Sequence, residues 1–239
     1  MTTADTPTTE TVKKVISSGN AELDSKMGGG LPVGSLGLIE GSSGAGKSVL
    51  TQQIIKGSLY DGFSVSLFTT ENTVKSLVSQ MQSLDMDILD FLLLGKLKVY
   101  SVEFSRSGAE ASTLLLDAMK QKRNGDLIVV DSFTSAITHA GADTHALRFF
   151  ENCKRLCATG KTIIITLHSN AVAGDILNPM RSMCDAHLQL RSEQDGQRLV
   201  KTLEVGKIRG ASSVTGAIVG FDVEPGWGMR VIPISKARG

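Results

Sequence analysis

Residues 41–49 read Gly41-Ser42-Ser43-Gly44-Ala45-Gly46-Lys47-Ser48-Val49, a spacing of glycines, lysine and hydroxyl that suits the chemistry of a polyphosphate. The glycines let backbone N–H groups turn inward around a β-phosphate, Lys47 has the length to reach β/γ oxygens, and the Ser48 hydroxyl can ligate Mg²⁺. An apolar run, Leu36-Gly37-Leu38-Ile39, stands directly before the motif, and a helix-like segment opens directly after it at Val49-Leu50-Thr51. That order is strand, loop, helix, so the helix adds the positive end of its dipole to the anion site. The residues from Gly41 to Val49 are therefore read as a nucleoside-triphosphate site. Nothing in them fixes one base over another.

Such a loop needs a carboxylate for the metal, usually an Asp at the C-terminal end of a neighbouring buried strand. Asp131 follows Leu127-Ile128-Val129-Val130 and takes that role; the competing reading is a helix cap, since Ser132 comes next. Glu71 ends a second strand on the edge where open parallel sheets place ligands, which makes it the candidate base for an attacking water. It would also sit well as an acid at a helix N-terminus. His168 ends another strand and could contact a γ-phosphate or the attacking water, or else be a hydrogen-bonded structural histidine. Lys207 and Arg209, two apart on a strand, are a solvated face or a pair that reaches a neighbouring subunit's triphosphate.

Positioning these groups requires an ordered βα alternation, and the chain supplies one. Strands are predicted at Ser35–Glu40, Ser64–Thr70, Leu97–Val102, Leu127–Val130 and Thr162–Leu167. Helical periodicity is predicted at Ala21–Met27, Lys47–Tyr60, from about Asn72, at Met86–Leu94, Ala109–Lys122 and Thr144–Ala158. The strands are apolar runs rather than alternating ones, the pattern of a parallel sheet covered on both faces. From Ala186 onward, short extended runs at 186–190, 199–205, 217–223 and 229–232 are separated by turn residues without helical spacing. They predict an antiparallel β extension. Residues 1–11 are rich in threonine without an apolar stripe and are expected to be a disordered tail; residues 12–239 are expected to be one domain.

The 239 residues carry 25 basic and 24 acidic side chains, a net charge of +1, which gives no global attraction to nucleic acid or an acidic membrane. No apolar run is long enough to span a bilayer, and the N-terminus lacks a basic and an apolar leader region, so a cytoplasmic protein is expected. Between Ser169 and Met183 only Arg181 is basic and no aromatic is present for stacking, which argues against a DNA-facing loop. Cys153 and Cys157, spaced as neighbours on a helix face, read as small buried residues; a metal pair there would need further ligands.

With the phosphate loop, Glu71, Asp131 and Lys207-Ile208-Arg209-Gly210 in a β-rich tail, the chain resembles the KaiC branch of the RecA-like P-loop ATPases over about 20–234. The segment from Leu23-Asp24 through Gly28-Gly29-Gly30-Leu31-Pro32 to Gly34 is similar to that family's stretch before its first core strand. Thr70-Glu71-Asn72 and Val231-Ile232-Pro233-Ile234 are most similar to the accessory ATP-binding proteins of the archaellum. The resemblance implies ATP and Mg²⁺ as ligands and an α/β, RecA-like core of mostly parallel sheet. It also implies an archaeal protein that docks on the hexameric archaellum motor ATPase at its membrane platform, assembles as a hexameric ring, contacts the membrane only indirectly and binds no nucleic acid. One departure bears on activity. KaiC-type sites commonly carry two adjacent acids where this chain has Glu71-Asn72, and an amide cannot accept a proton as a general base does. Slow hydrolysis is the expectation, against the alternatives of an active ATPase or autokinase and of a DNA-dependent ATPase.

Overall fold

The computed structural model describes residues 15–103, 111–121, 124–140, 143–195, 198–211 and 215–233. Short strands β1 (Val15–Ile16) and β2 (Leu31–Pro32) pair around helix α1 (Ala21–Lys26), which is capped by the Asn20 side chain. Among the described residues the main sheet has nine strands. Its parallel part is built from β3 (Leu36–Gly41), β4 (Val65–Thr69), β5 (Leu97–Ser101), β6 (Leu127–Asp131), β7 (Thr162–His168) and β8 (Ala186–Asp195). The antiparallel part is β9 (Arg198–Ile208), β10 (Ile218–Glu224) and β11 (Gly228–Ile232). Across the sheet the order is β11-β10-β9-β8-β3-β7-β6-β4-β5, parallel from β8 to β5 and antiparallel from β8 to β11.

Alternating side chains of the central strands feed two cores. Ile39, Leu67, Val129 and Ile164 point to the face covered by α1, α2 (Lys47–Tyr60), α3 (Val74–Ser83) and α4 (Leu89–Leu93). Leu38, Phe68, Val130 and Ile165 point to the face covered by α5 (Ala111–Met119), α6 (Thr134–Ala140), α7 (Asp143–Cys157) and α8 (Gly174–Met183). Burial on both faces is why the strands read as unbroken apolar runs.

Two helices were not foreseen in the pattern, α6 and α8. In α8, Gly174 and Pro179 read as breakers, yet burial of Ile176, Leu177 and Met180 holds the segment helical, an override of propensity by packing. The hairpin strands are also longer than the sequence predicts, because β8 and β9 pair along nearly their whole length through a bulge at His187/Leu188. The threonine-rich tail, residues 1–11, lies outside the described residues, as does Ile234. Among the described residues, no helix is long and apolar enough to cross a membrane. Cys153 and Cys157 are buried beside Cys184 in the α7/α8 core, and burial pushes the thiols of Cys157 and Cys184 up to about 12.

Candidate nucleotide site

The loop between β3 and α2 sits in mid-sheet, since β3 runs between β7 and β8. Two glycines are required by what lies beneath it. At Gly41, a Cβ would come within 2.3 Å of the Leu190 carbonyl of β8, and at Gly46, with φ of 100°, it would meet the Phe221 ring at 3.1 Å. The β extension therefore forms the floor of the phosphate loop. Ala45 closes a turn by donating to the Ser42 carbonyl at 3.3 Å, and Gly46 accepts the first helical bond from Leu50 at 2.9 Å.

Lys47 is almost fully buried, and its Nζ donates to the carbonyls of Gly41 at 3.1 Å and Ser42 at 2.8 Å, with His168 Nδ1 at 3.4 Å. Burial lowers its pKa, opposed by the charges of Glu71 and Asp131. Asp131 ends β6 and is buried; it accepts from Thr166 Oγ1 at 2.7 Å and is hydrogen-bonded to Ser48. Burial raises its pKa, and the neighbouring charge of Glu71 adds to the rise. The Asp131–Ser132 peptide is cis.

Glu71 follows the end of β4 in a turn fixed by Thr69 Oγ1, which accepts from the N–H groups of Glu71 at 3.2 Å and Asn72 at 3.1 Å. Its Oε1 lies 3.5 Å from His168 Nε2, and its side chain is 42% exposed, open to a water. Asn72 turns the other way. Its Oδ1 accepts from Ser76 Oγ at 3.2 Å at the start of α3, so position 72 serves the helix rather than the loop. Lys47, Ser48, Glu71 and His168 thus gather at the C-terminal ends of β3, β4 and β7 around a cleft of about 230 Å³ whose wall includes Ser43, Gly44, Gly46 and Val49, with Asp131 at the end of β6 buried behind Ser48.

Lys207 and Arg209 do not join them. They stand at the far end of β9, where Lys207 pairs in register with His187 and Arg209 N–H bonds the Asp185 carbonyl. The loop is at the level of Leu190 and Leu203, four and six residues away, roughly 13 and 20 Å along the strand. Arg209 is ion-paired with Asp185 at 3.2 Å, a carboxylate shared with Lys154. Lys207 donates to the Ser182 carbonyl at 3.1 Å.

A family model for KaiC-type ATPases matches residues 16–236. The archaeal flagellar ATP-binding protein FlaH of Sulfolobus acidocaldarius is 32% identical over 229 residues, 94% of this chain and 99% of that protein. The chain belongs to the FlaH branch of the KaiC-like ATPases. FlaH of Methanocaldococcus jannaschii is 29% identical over 88% of this chain and 91% of its own length. The crystal structure of the flagellar accessory protein FlaH from that organism superposes with a TM-score of 0.78 at 26% identity, covering 91% of this chain and 98% of that one. The circadian clock oscillator protein KaiC of Synechococcus elongatus is 27% identical over 88% of this chain but is spanned over only 42% of its length.

A P-loop ATPase family implies a bound nucleotide, usually with Mg²⁺, and the residues of this FlaH-branch chain fit both. A built Cβ at Gly44 meets nothing within 4 Å, so that backbone is open to a ligand. A hydroxyl and a carboxylate, Ser48 and Asp131, are the hard oxygen donors Mg²⁺ prefers. Three residues of the site escape sequence reasoning. Thr166 orients Asp131 from within an apolar strand; its buried hydroxyl, one strand away, was the available signal. Gln80 of α3 lines the cleft and accepts from Gln52 at 2.9 Å. Lys201 of β9 also lines it. In sequence Lys201 is one polar residue in an alternating strand, and only its register opposite Phe221, the ring beneath Gly46, brings it to the loop.

Proposed function

We propose that this protein is an ATP- and Mg²⁺-binding, weakly hydrolysing assembly subunit of the archaellum machinery, docking on the hexameric motor ATPase in a nucleotide-dependent way. The observation that carries the binding reading is the convergence of Lys47 and the Ser48–Asp131 pair on one loop. The archaellum role is supported by relatives that bear the FlaH name along nearly their whole length. Lys47 and Lys201 would grip the phosphates from two sides of the loop, and Ser48 and Asp131 would hold the magnesium. That ion, when bound, neutralises charge on the phosphate oxygens. Glu71, with His168 beside it, would orient a water and take its proton.

Weak hydrolysis is supported by the division of labour after β4. One acid faces the cleft, and the next position is an amide whose oxygen accepts from the Ser76 hydroxyl in the first turn of α3. Lys207 and Arg209 are too far along β9 to reach the loop of their own chain, so any role for them on a nucleotide is across an interface in a homo-oligomeric ring. The reading has a direct test. Affinity for the cognate motor ATPase is titrated with and without Mg²⁺·ATP; tighter binding with nucleotide is expected, and equal dissociation constants would remove nucleotide as the regulator. Turnover of about one per second or more would instead favour an active ATPase or autokinase.

A further inference from the structure

Directly before the phosphate loop, Glu40 has no solvent exposure at all. Its Oε1 accepts from Arg181 Nε at 2.9 Å, Arg181 Nη2 at 2.6 Å and His187 Nε2 at 2.8 Å, while its Oε2 is buried without a partner among the described residues. A carboxylate in such a place is tolerable only while its cations stay. The two donors come from different elements: Arg181 from the last turn of α8, His187 from β8. Arg181 is itself steadied by Asn178 Oδ1 at 3.1 Å.

The helix is fastened to the candidate site a second time. Five residues, the turn Ser169–Ala171 with Val172 and Ala173, separate α8 from His168 at the end of β7, whose ring touches both Lys47 and Glu71. So the N-terminal side of α8 meets the site through His168, and its C-terminal side meets the beginning of the loop through Arg181 and Glu40. The peptide that carries Glu40 leads straight into Gly41, one of the two carbonyls that hold the Lys47 ammonium.

We propose that Glu40 is a positioning residue: through Arg181 it ties α8 to the start of the phosphate loop, so that occupancy of the loop and the order of α8 rise together. This rests on the reading of 41–48 as a nucleotide loop. Nucleotide that draws Lys47 away from the Gly41 and Ser42 carbonyls changes the backbone next to Glu40, and the clamp passes the change to a helix whose outer face, at Asp175, Asn178 and Ser182, is exposed. Arg181, the one basic residue of the 169–183 segment, is accounted for in this way: it turns inward rather than toward a polyanion.

Hydrogen–deuterium exchange of the full chain, with and without Mg²⁺·ATP, tests the coupling. In the wild type, ATP should slow exchange in 174–183 about fivefold or more. Because Arg181→Met alone strands a buried charge and could unfold the protein, the informative variant is the double Glu40→Gln, Arg181→Met, which removes both charges. It should bind ATP within about threefold of wild type while losing the ATP-dependent slowing in α8; the single variant Arg181→Lys, which keeps the charge but not the two-pronged contact, should retain only part of the slowing. An unchanged α8 in wild type that does bind ATP, or full slowing in the double variant, would overturn the coupling. Failure of the wild type to bind ATP would remove the nucleotide reading, and the coupling with it.

Discussion

Lys47 and Asp131 carry opposite electrostatic costs in the apo protein, and each cost points to a ligand. The Lys47 ammonium is buried against two carbonyls and a histidine ring, and burial lowers its pKa; a triphosphate would replace dipoles with full negative charge. Lys47→Ala should therefore abolish measurable ATP binding, a loss of at least about 100-fold if the charged contact contributes about 3 kcal/mol, while the circular dichroism spectrum stays that of wild type. Wild-type affinity in a nucleotide titration would end the assignment. Asp131 is an acid whose folded pKa is raised, by burial first and then by Glu71. Such a group subtracts stability as pH rises through its folded value, because the ionised form is less welcome in the fold than in the open chain. Asp131→Asn is expected to raise the apo melting temperature at neutral pH by about 2–4 °C, the response of a domain this size to roughly 1 kcal/mol, and to lose the stabilisation Mg²⁺ gives the ATP complex. A lower apo melting temperature would mean that Asp131 is a structural anchor and not a strained metal ligand.

Elements place these residues by register. Phe221 and Lys201, facing one another across β9 and β10, put an aromatic floor under Gly46 and a cation on the wall of the cleft, so in the proposed reading the antiparallel extension contributes to the nucleotide site. On the opposite face of the sheet, Glu40 stitches β3 to α8 and β8. Burial pushes its pKa up, but the hydrogen bonds and charges of His187 and Arg181 outweigh this and hold it below the ordinary 4.5. For a carboxylate lowered on folding, the stabilisation is fully present above the unfolded value and is lost as pH falls through the folded one. The stability gap between wild type and Glu40→Gln, measured by urea melts, should thus be constant near neutrality and close progressively below about pH 4.5. A gap that persists unchanged to pH 2 would show that the amide fails for steric reasons and not for want of charge.

At the scale of the molecule the two ends of the strands carry different charged groups. The C-terminal ends of the parallel strands gather the phosphate loop, Glu71, Asp131 and His168; the opposite edge carries Lys207, Arg209 and their shared partner region around Asp185. If chains stack head to tail in a ring, one edge faces the other. Arg209→Ala should leave ATP affinity of the isolated monomer within about twofold, since Arg209 stands roughly 20 Å along the strand from the loop of its own chain, yet reduce turnover or ring stability, read by sedimentation with Mg²⁺·ATP. Unaltered behaviour in both assays would return Arg209 to the solvated face.

The phosphate loop, the carboxylate after a buried strand and the parallel character of the core were legible in the chain because each depends on neighbours in sequence: glycine spacing, an apolar run and the residue that ends it. Helix α8 was not, since Gly174 and Pro179 oppose it locally and only burial of Ile176, Leu177 and Met180 holds it. Nor were Thr166, Gln80 and Lys201, which reach the site through strand register or helix packing. The same holds for Glu40, whose partners lie 141 and 147 residues away. Sequence alone determined which chemistry the chain can hold, because that chemistry is written in short motifs. Tertiary structure decided which side chains share the site and which of the basic residues stand apart from it, because burial and cross-strand register bring together residues that are distant in the chain.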